Sequence, residues 1–239
     1  MDINCDLGEG FGCEAAILPF INSANIACGL HAGSPAEMAN TVELAKKLSV
    51  HVGAHPSWND RANFGRKAQQ MPPAEIKALI SYQLGALDAI CRQADYPMVH
   101  VKPHGALYNQ AGTDPVIAMA IIDAIQTFNP SLHLFALSNS ILAKLGRAAG
   151  LLVKEEAFAD RRYTSNGQLA PRSFANSVLK NTDDVLKQVD LLVRSQQVYT
   201  IENTALKLHA DTICIHGDGP TAIELAKAVH QYLQASPQL

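Results

Sequence analysis

Seven times along the chain a short apolar or β-branched run is followed by a polar loop and then a stretch of helical period. This alternation constrains the fold more than any other feature. Strands separated by helical crossovers run parallel, because the crossover returns the chain to the end where the previous strand began. The strand candidates are residues 2–5, 25–28, 51–54, 98–101, 133–136, 151–154 and 212–215. No Pro/Gly/Ser linker, low-complexity tract or longer internal repeat divides the 239 residues. Residues 1–239 are therefore expected to form one α/β domain, a closed seven-stranded parallel (β/α) barrel, with a doubly wound open sheet as the alternative.

Helix starts punctuate the pattern. In Ser34-Pro35-Ala36-Glu37 the serine can cap, the proline fills the first helical position and the glutamate completes a capping box. That helix is expected to run to about residue 48, a longer one from Pro72-Pro73 to about residue 93, and others from residues 182–183 to 195 and from near Pro220. Residues 197–208 read both ways: Val-Tyr-Thr-Ile favours a strand, and residues 202–208 favour a helical extension.

Composition excludes several classes of function. Hydrophobic residues make up 48% of the chain and charged residues 17%, enough for a large core. The formal net charge is -3 and like charges do not cluster, which argues against a nucleic-acid or polybasic membrane surface. No apolar run approaches the ~18 residues of a membrane span, and the start lacks the cationic and apolar regions of a secretory signal, so a soluble cytoplasmic protein is expected. Five scattered cysteines without a CxxC pair fit reduced thiols better than a disulfide framework or a zinc ribbon.

In a parallel βα architecture chemistry gathers at the carboxyl ends of the strands, and here nearly every such position is polar. The first strand leads to Asp6 and Glu9, the second to His31, the third to His55 and Asp60, and the fourth to Lys102 and His104. The fifth leads to Ser138 and Asn139, the sixth to Asp160 and Arg161, and the seventh to His216 and Asp218. Strand parity turns Asn4, Asp6, His51, His55, His100, Lys102, Cys214, His216 and Asp218 toward the barrel interior, and Ile3, Val52, Val99, Val101, Ile213 and Ile215 toward the helices. Carboxylates, imidazoles and cations on one rim suit hydrolysis of a carbonyl or C–N bond, with a base to activate water and cations to hold an anion. Asp6, His31 and His55 form a candidate set for a divalent metal. There is no P-loop, no GxGxxG after a strand and no GxSxG; the glycines of Gly8-Glu9-Gly10-Phe11-Gly12 are wrongly spaced for a nucleotide site.

As a set, six blocks resemble the LamB/YcsF family. They are Asn-Cys-Asp-Leu-Gly-Glu at 4–9, Ala-Asn-Ile-Ala-Cys-Gly-Leu-His-Ala-Gly at 24–33 and Gly-Ala-His-Pro-Ser at 53–57. The others are Val-Lys-Pro-His-Gly-Ala-Leu-Tyr-Asn at 101–109, Phe-Ala-Asp-Arg at 158–161 and Ile-His-Gly-Asp at 215–218. The resemblance implies a barrel like those of sugar deacetylases and some glycoside hydrolases. It also implies a role as the A subunit of a 5-oxoprolinase that opens 5-oxo-L-proline to L-glutamate with separate B and C subunits. ATP would be consumed by the complex, consistent with the absent P-loop. On this basis Asp6 or Glu9 would help activate water, with His55 or His216 as the alternative base. Lys102 and Arg161 would hold a substrate carboxylate or phosphorylated lactam oxygen, and His104 and Asp218 would pass a proton to the leaving amine. Asp160 joins the catalytic set, and Asn25, His31 and Asn109 join Arg161 as substrate-binding candidates. The chain departs from the family pattern mildly: Ser34 replaces Asp, Leu30 replaces Phe, and residues 58–67 vary a loop that could shape specificity or docking. Two other readings are a self-sufficient metal-dependent deacetylase or amidohydrolase and a non-catalytic lactam carrier.

Overall fold

The computed structural model describes residues 1–219 and 221–235. Its strands, in chain order, are β1 (Asp2–Leu7), β2 (Ser23–Ala27), β3 (His51–His55), β4 (Met98–Val101), β5 (His133–Leu137), β6 (Leu152–Phe158), β7 (Gln197–Tyr199), β8 (Ala205–Lys207) and β9 (Thr212–Ile215). The helices are α1 (Glu14–Ile17), α2 (Pro35–Lys47), α3 (Pro73–Gln93), α4 (Gly105–Ala111), α5 (Pro115–Phe128), α6 (Ile141–Ala148), α7 (Thr182–Ser195) and α8 (Ala222–Ala235). β1 to β6 and β9 form an all-parallel closed barrel, since β9 pairs with both β6 and β1. The open-sheet alternative is thereby excluded. Among the described residues no helix is long and apolar enough to cross a membrane, and all five cysteines are free.

Local signals set the helix ends. Ser34 Oγ accepts from Glu37 N at 3.2 Å with Pro35 in the first turn, and Asn181 caps α7 by accepting from Asp183 N at 2.8 Å. The α3 helix buries Ile76, Ile80, Leu84 and Leu87 at i, i+4, i+8 and i+11. Each such side chain contributes roughly 1.5–3 kcal/mol on burial. Ile3, Val52, Val101, Ile213 and Ile215, all at most 2% exposed, belong to the same apolar layer between barrel and helices.

The barrel interior is polar by contrast, and most of its groups are paired, as burial in a medium of low polarity demands, His100 Nδ1 being an exception. Register places Asp6 beside Asn25 and Asn4 beside Cys214. Asn25 Nδ2 donates to Asn4 Oδ1 at 2.7 Å and to Asp6 Oδ1 at 2.9 Å, while Asn25 Oδ1 accepts from His100 Nε2 at 2.8 Å. His100 stacks on Phe135, ring centroids 4.3 Å apart. A Cβ on Gly53 would lie 2.1 Å from the His100 ring, so only glycine fits there.

Three expectations change in detail. β6 runs to Phe158, past the expected end at residue 154, because both acids after Lys154 are buried and partnered. His51 is exposed at the amino-terminal end of β3, so it stands apart from the cluster that His55 joins at the other end. Residues 197–207 form the antiparallel β7–β8 hairpin: Gln196, with φ 50°, ends α7, and Asn203, with φ 58°, turns the chain. The helix start expected near Pro220 involves a position outside the described residues; α8 is described from Ala222.

Candidate active site

A cavity of about 400 Å³ opens at the carboxyl ends of the strands, as expected for this architecture. Asp6, Glu9, His55, Lys102, His104, Asn109, Arg161, His216 and Asp218 line it, nine of the twelve residues given a catalytic or substrate-binding role from the sequence; Asp60, Ser138 and Asn139 of the expected rim do not. Asp160 stands behind His216. Asn25 and His31 do not line the cavity. Asn25 is consumed by the interior network, and His31 is held behind the wall by Ser57 and Glu9, so neither fits the direct substrate-binding role expected of it.

At the cavity floor Lys102 is 2% exposed. Its Nζ donates to Asp6 Oδ1 at 2.9 Å, Asn4 Oδ1 at 3.2 Å and Cys214 Sγ at 3.0 Å, and lies 2.9 Å from Glu156 Oε1. An ammonium has three protons, and all three point into the barrel. The expected role of Lys102 as a holder of substrate anions therefore gives way to that of a buried counter-charge. Burial works against the charged lysine, but Asp6, Cys214 and Glu156 outweigh it and keep it protonated. Burial likewise opposes Asp6, yet His55 and Lys102 hold its carboxyl well below the usual range. Glu156 is a partner that the sequence pattern does not flag, because the expected sixth strand ends two residues before it. It is fully buried and accepts from Tyr108 OH at 2.6 Å. Counting by twos from Asp160 through Phe158 places it on the inward face, the one signal that could have found it.

On one wall His216 Nδ1 lies 2.9 and 3.0 Å from the two Asp160 oxygens, and its ring stacks on Phe158 at 5.3 Å. Burial opposes the Asp160 charge, but His216 and Arg161 outweigh it and lower the pKa. A carboxylate bound to one imidazole nitrogen fixes the tautomer and leaves Nε2 a lone pair. This dyad can act as a general base.

Elsewhere on the wall Glu9, His55 and His104 converge with His31 behind them, one ligand atom from each lying within 4.8 Å of all the others. Of the three metal candidates named from the sequence, His31 and His55 belong to this cluster. The carboxylate in it is Glu9; Asp6 is turned toward Lys102, with its second oxygen 3.4 Å from His55 Nε2. Burial and neighbouring Asp6 push the Glu9 carboxyl up, while burial pushes the His31 and His104 rings down, toward neutrality. Gly65, at φ +63°, passes so close that a Cβ there would sit 2.9 Å from His104 and 3.0 Å from His31.

The mouth carries three arginines. Arg66 binds Asp218 at 2.5 Å, and Arg172 approaches it at 4.0 Å. Asp218 is thus an anchor for cations, which removes it from the expected proton shuttle. Arg161 Nη2 donates to Ala170 O at 2.5 Å and its Nε to Ser177 O at 3.4 Å. Burial and Arg172 lower its pKa to about 10. Phe64 and Arg66 bring the 58–67 loop to the cavity wall, and Arg61 ties the loop to the carbonyls of Gly29 and Gly33.

The LamB/YcsF family model matches residues 1–238. The chain belongs to the LamB/YcsF family. It is 45% identical over 238 residues to a protein of Staphylococcus saprophyticus subsp. saprophyticus named as the A subunit of 5-oxoprolinase, covering 98% of this chain and 94% of that one. It superposes on the crystal structure of the lactam utilization protein from Thermus thermophilus with a TM-score of 0.92 and 39% identity, covering 99% and 97% of the two chains. A putative cellobiose-phosphate cleavage protein of Enterococcus faecalis shares the fold, with a TM-score of 0.57 at 11% identity and coverage of 98% and 93%.

Proposed function

We propose that this chain is the A subunit of a cytoplasmic ATP-dependent 5-oxoprolinase, opening the lactam of 5-oxo-L-proline to L-glutamate together with B and C subunits. The observation that carries the reading is the pairing of the His216–Asp160 base with Arg161 on the wall of one small cavity, in a chain 45% identical to a protein named for that reaction. Lactam opening adds water to the ring carbonyl carbon, breaks the C–N bond and protonates the nitrogen. His216 Nε2 takes the proton from water and returns it to the departing nitrogen, while Asp160 stabilises the imidazolium between the two transfers. Arg161 binds the substrate carboxylate with N–H groups left over from its two backbone carbonyls. Asp6, kept ionised by Lys102, orients the attacking water from the floor. The partner subunits transfer the terminal phosphoryl group of ATP to the lactam oxygen, releasing ADP; ring opening then leaves an acyl phosphate, which a second water cleaves to L-glutamate and inorganic phosphate.

The test is glutamate release from 5-oxoproline by the isolated chain, by the partner subunits and by their mixture, with and without ATP. Release by the ATP-supplied mixture alone is the expected result. Amide hydrolysis by the isolated chain without ATP would overturn the reading in favour of a self-sufficient amidohydrolase. Turnover by the complex that survives removal of both His216 and Asp6 would point instead to a carrier.

A further inference from the structure

The hydrogen bonds behind the Glu9 wall fix which nitrogen of each imidazole carries its proton. His55 Nδ1 lies 2.7 Å from the Lys102 carbonyl oxygen, and His104 Nε2 lies 2.9 Å from that of Phe64. A carbonyl can only accept, so His55 is protonated on Nδ1 and His104 on Nε2. Ser57 Oγ donates to Trp58 O at 2.9 Å, which commits its one proton; it must accept from His31 Nδ1 at 2.8 Å. In each neutral ring the remaining nitrogen is therefore a lone pair. All three lone pairs point inward: His55 Nε2 faces His104 Nδ1 at 2.9 Å, and His31 Nε2 faces Glu9 Oε1 at 3.1 Å. Glu9 Oε1 also lies 3.5 Å from His104 Nδ1 and 3.9 Å from His55 Nε2.

Four acceptors at such distances repel one another unless something electrophilic sits among them. A proton on Glu9 satisfies the His31 contact only, and a second proton, on His55 Nε2 or His104 Nδ1, is needed to bridge those two rings. One cation satisfies all four. Ligands bound at about 2.0–2.2 Å in tetrahedral geometry stand roughly 3.3–3.5 Å apart; the four contacts above scatter about that spacing, and every pair lies within 4.8 Å. Each ring's outer N–H is anchored on a carbonyl or hydroxyl, the arrangement that orients metal-bound histidines and sets their tautomers.

We propose that Glu9, His31, His55 and His104 form a binding site for one divalent first-row transition-metal ion of borderline softness, zinc-like in preference. Three imidazoles and one carboxylate suit such an ion better than magnesium or calcium, which favour all-oxygen shells. Glu9, His55 and His104 also line the cavity, so the ion borders the space that substrate would occupy, with His31 as its rear ligand. The site stands apart from the lactam reading, since it concerns binding by the isolated chain whatever reaction the assembly performs.

The probe is Co2+ alone, titrated into the chelator-stripped full chain and followed by visible absorption and by elemental analysis after gel filtration. One equivalent is expected, with the intense bands of a four-coordinate nitrogen/oxygen site, displaced by Zn2+. Glu9→Gln and His104→Asn should each lose stoichiometric binding. Ser57→Ala should weaken it by about 10–100-fold through His31, and His209→Asn, at an exposed histidine, should not change it. Wild-type stoichiometry and spectrum decide the question even where a variant fails to fold. Substoichiometric uptake by the folded wild-type chain would overturn the proposal in favour of shared protons, as would uptake that folded Glu9→Gln and His104→Asn chains retain.

Discussion

His216 and His55 occupy the same cavity, yet their partners give them different work. His216 donates to a carboxylate that burial alone would have neutralised but that His216 and Arg161 keep ionised. Its other nitrogen is left for a substrate proton. His55 donates to a backbone carbonyl and turns its second nitrogen into a cluster of acceptors. His216→Asn should therefore lower glutamate release by the assembled complex about 10²–10⁴-fold, the usual contribution of a general base, with little change in denaturation midpoint. Lys102 should behave in the opposite way. Lys102→Met leaves Asp6 and Glu156 as buried carboxylates without a counter-charge. Breaking such a pair costs about 3–5 kcal/mol, which urea denaturation of the isolated chain would register. A Lys102→Met chain of unchanged stability but raised KM would restore the substrate-holding role that its hydrogen bonds argue against.

At the scale of elements, β6 shows where physical reading of a sequence stops. The run Lys154-Glu155-Glu156 is a poor strand by composition, and it became one because each acid found a different neighbour. Glu156 turns inward to Lys102 and Tyr108. Glu155 accepts from Ser138 Oγ at 2.7 Å and Asn139 N at 3.1 Å, and it pairs with Arg147 of α6. These contacts outweigh burial and lower the Glu155 pKa. With the folded value below the unfolded one, the contribution is fully present above the unfolded pKa of about 4.3 and fades as pH falls through the folded value. Glu155→Gln should cost about 1 kcal/mol at pH 7, a modest figure because Arg147 is half-exposed. The two chains should converge in stability at acid pH, as urea midpoints measured across pH would show. A gap that stayed constant into acid would instead assign the effect to packing.

Across the whole molecule, the barrel, the rim on which the chemistry sits and most residues of the cavity wall were legible, because period, capping and strand parity are local signals. Asn25, His31 and Glu156 were misjudged or missed because their roles depend on partners distant in sequence. The choice of Glu9 over Asp6 in the histidine cluster likewise turns on Lys102, which captures Asp6 from across the barrel. The cysteines offer a test of how closed that barrel is. Burial pushes the Cys28 and Cys91 thiols up to about 12, and it raises those of Cys5 and Cys214 as well. Cys13, between the β1 end and α1, is part-exposed with a smaller upward displacement. Thiolate is the reactive form, so at pH 8 a disulfide reagent should modify Cys13 first, and the other four only as fast as the chain unfolds. Labelling of the four should then accelerate with urea in step with global unfolding. Fast modification of Cys214 in the folded chain would mean that its contact with Lys102 opens in the native state, and Lys102 would then not be the fixed counter-charge that holds Asp6 ionised.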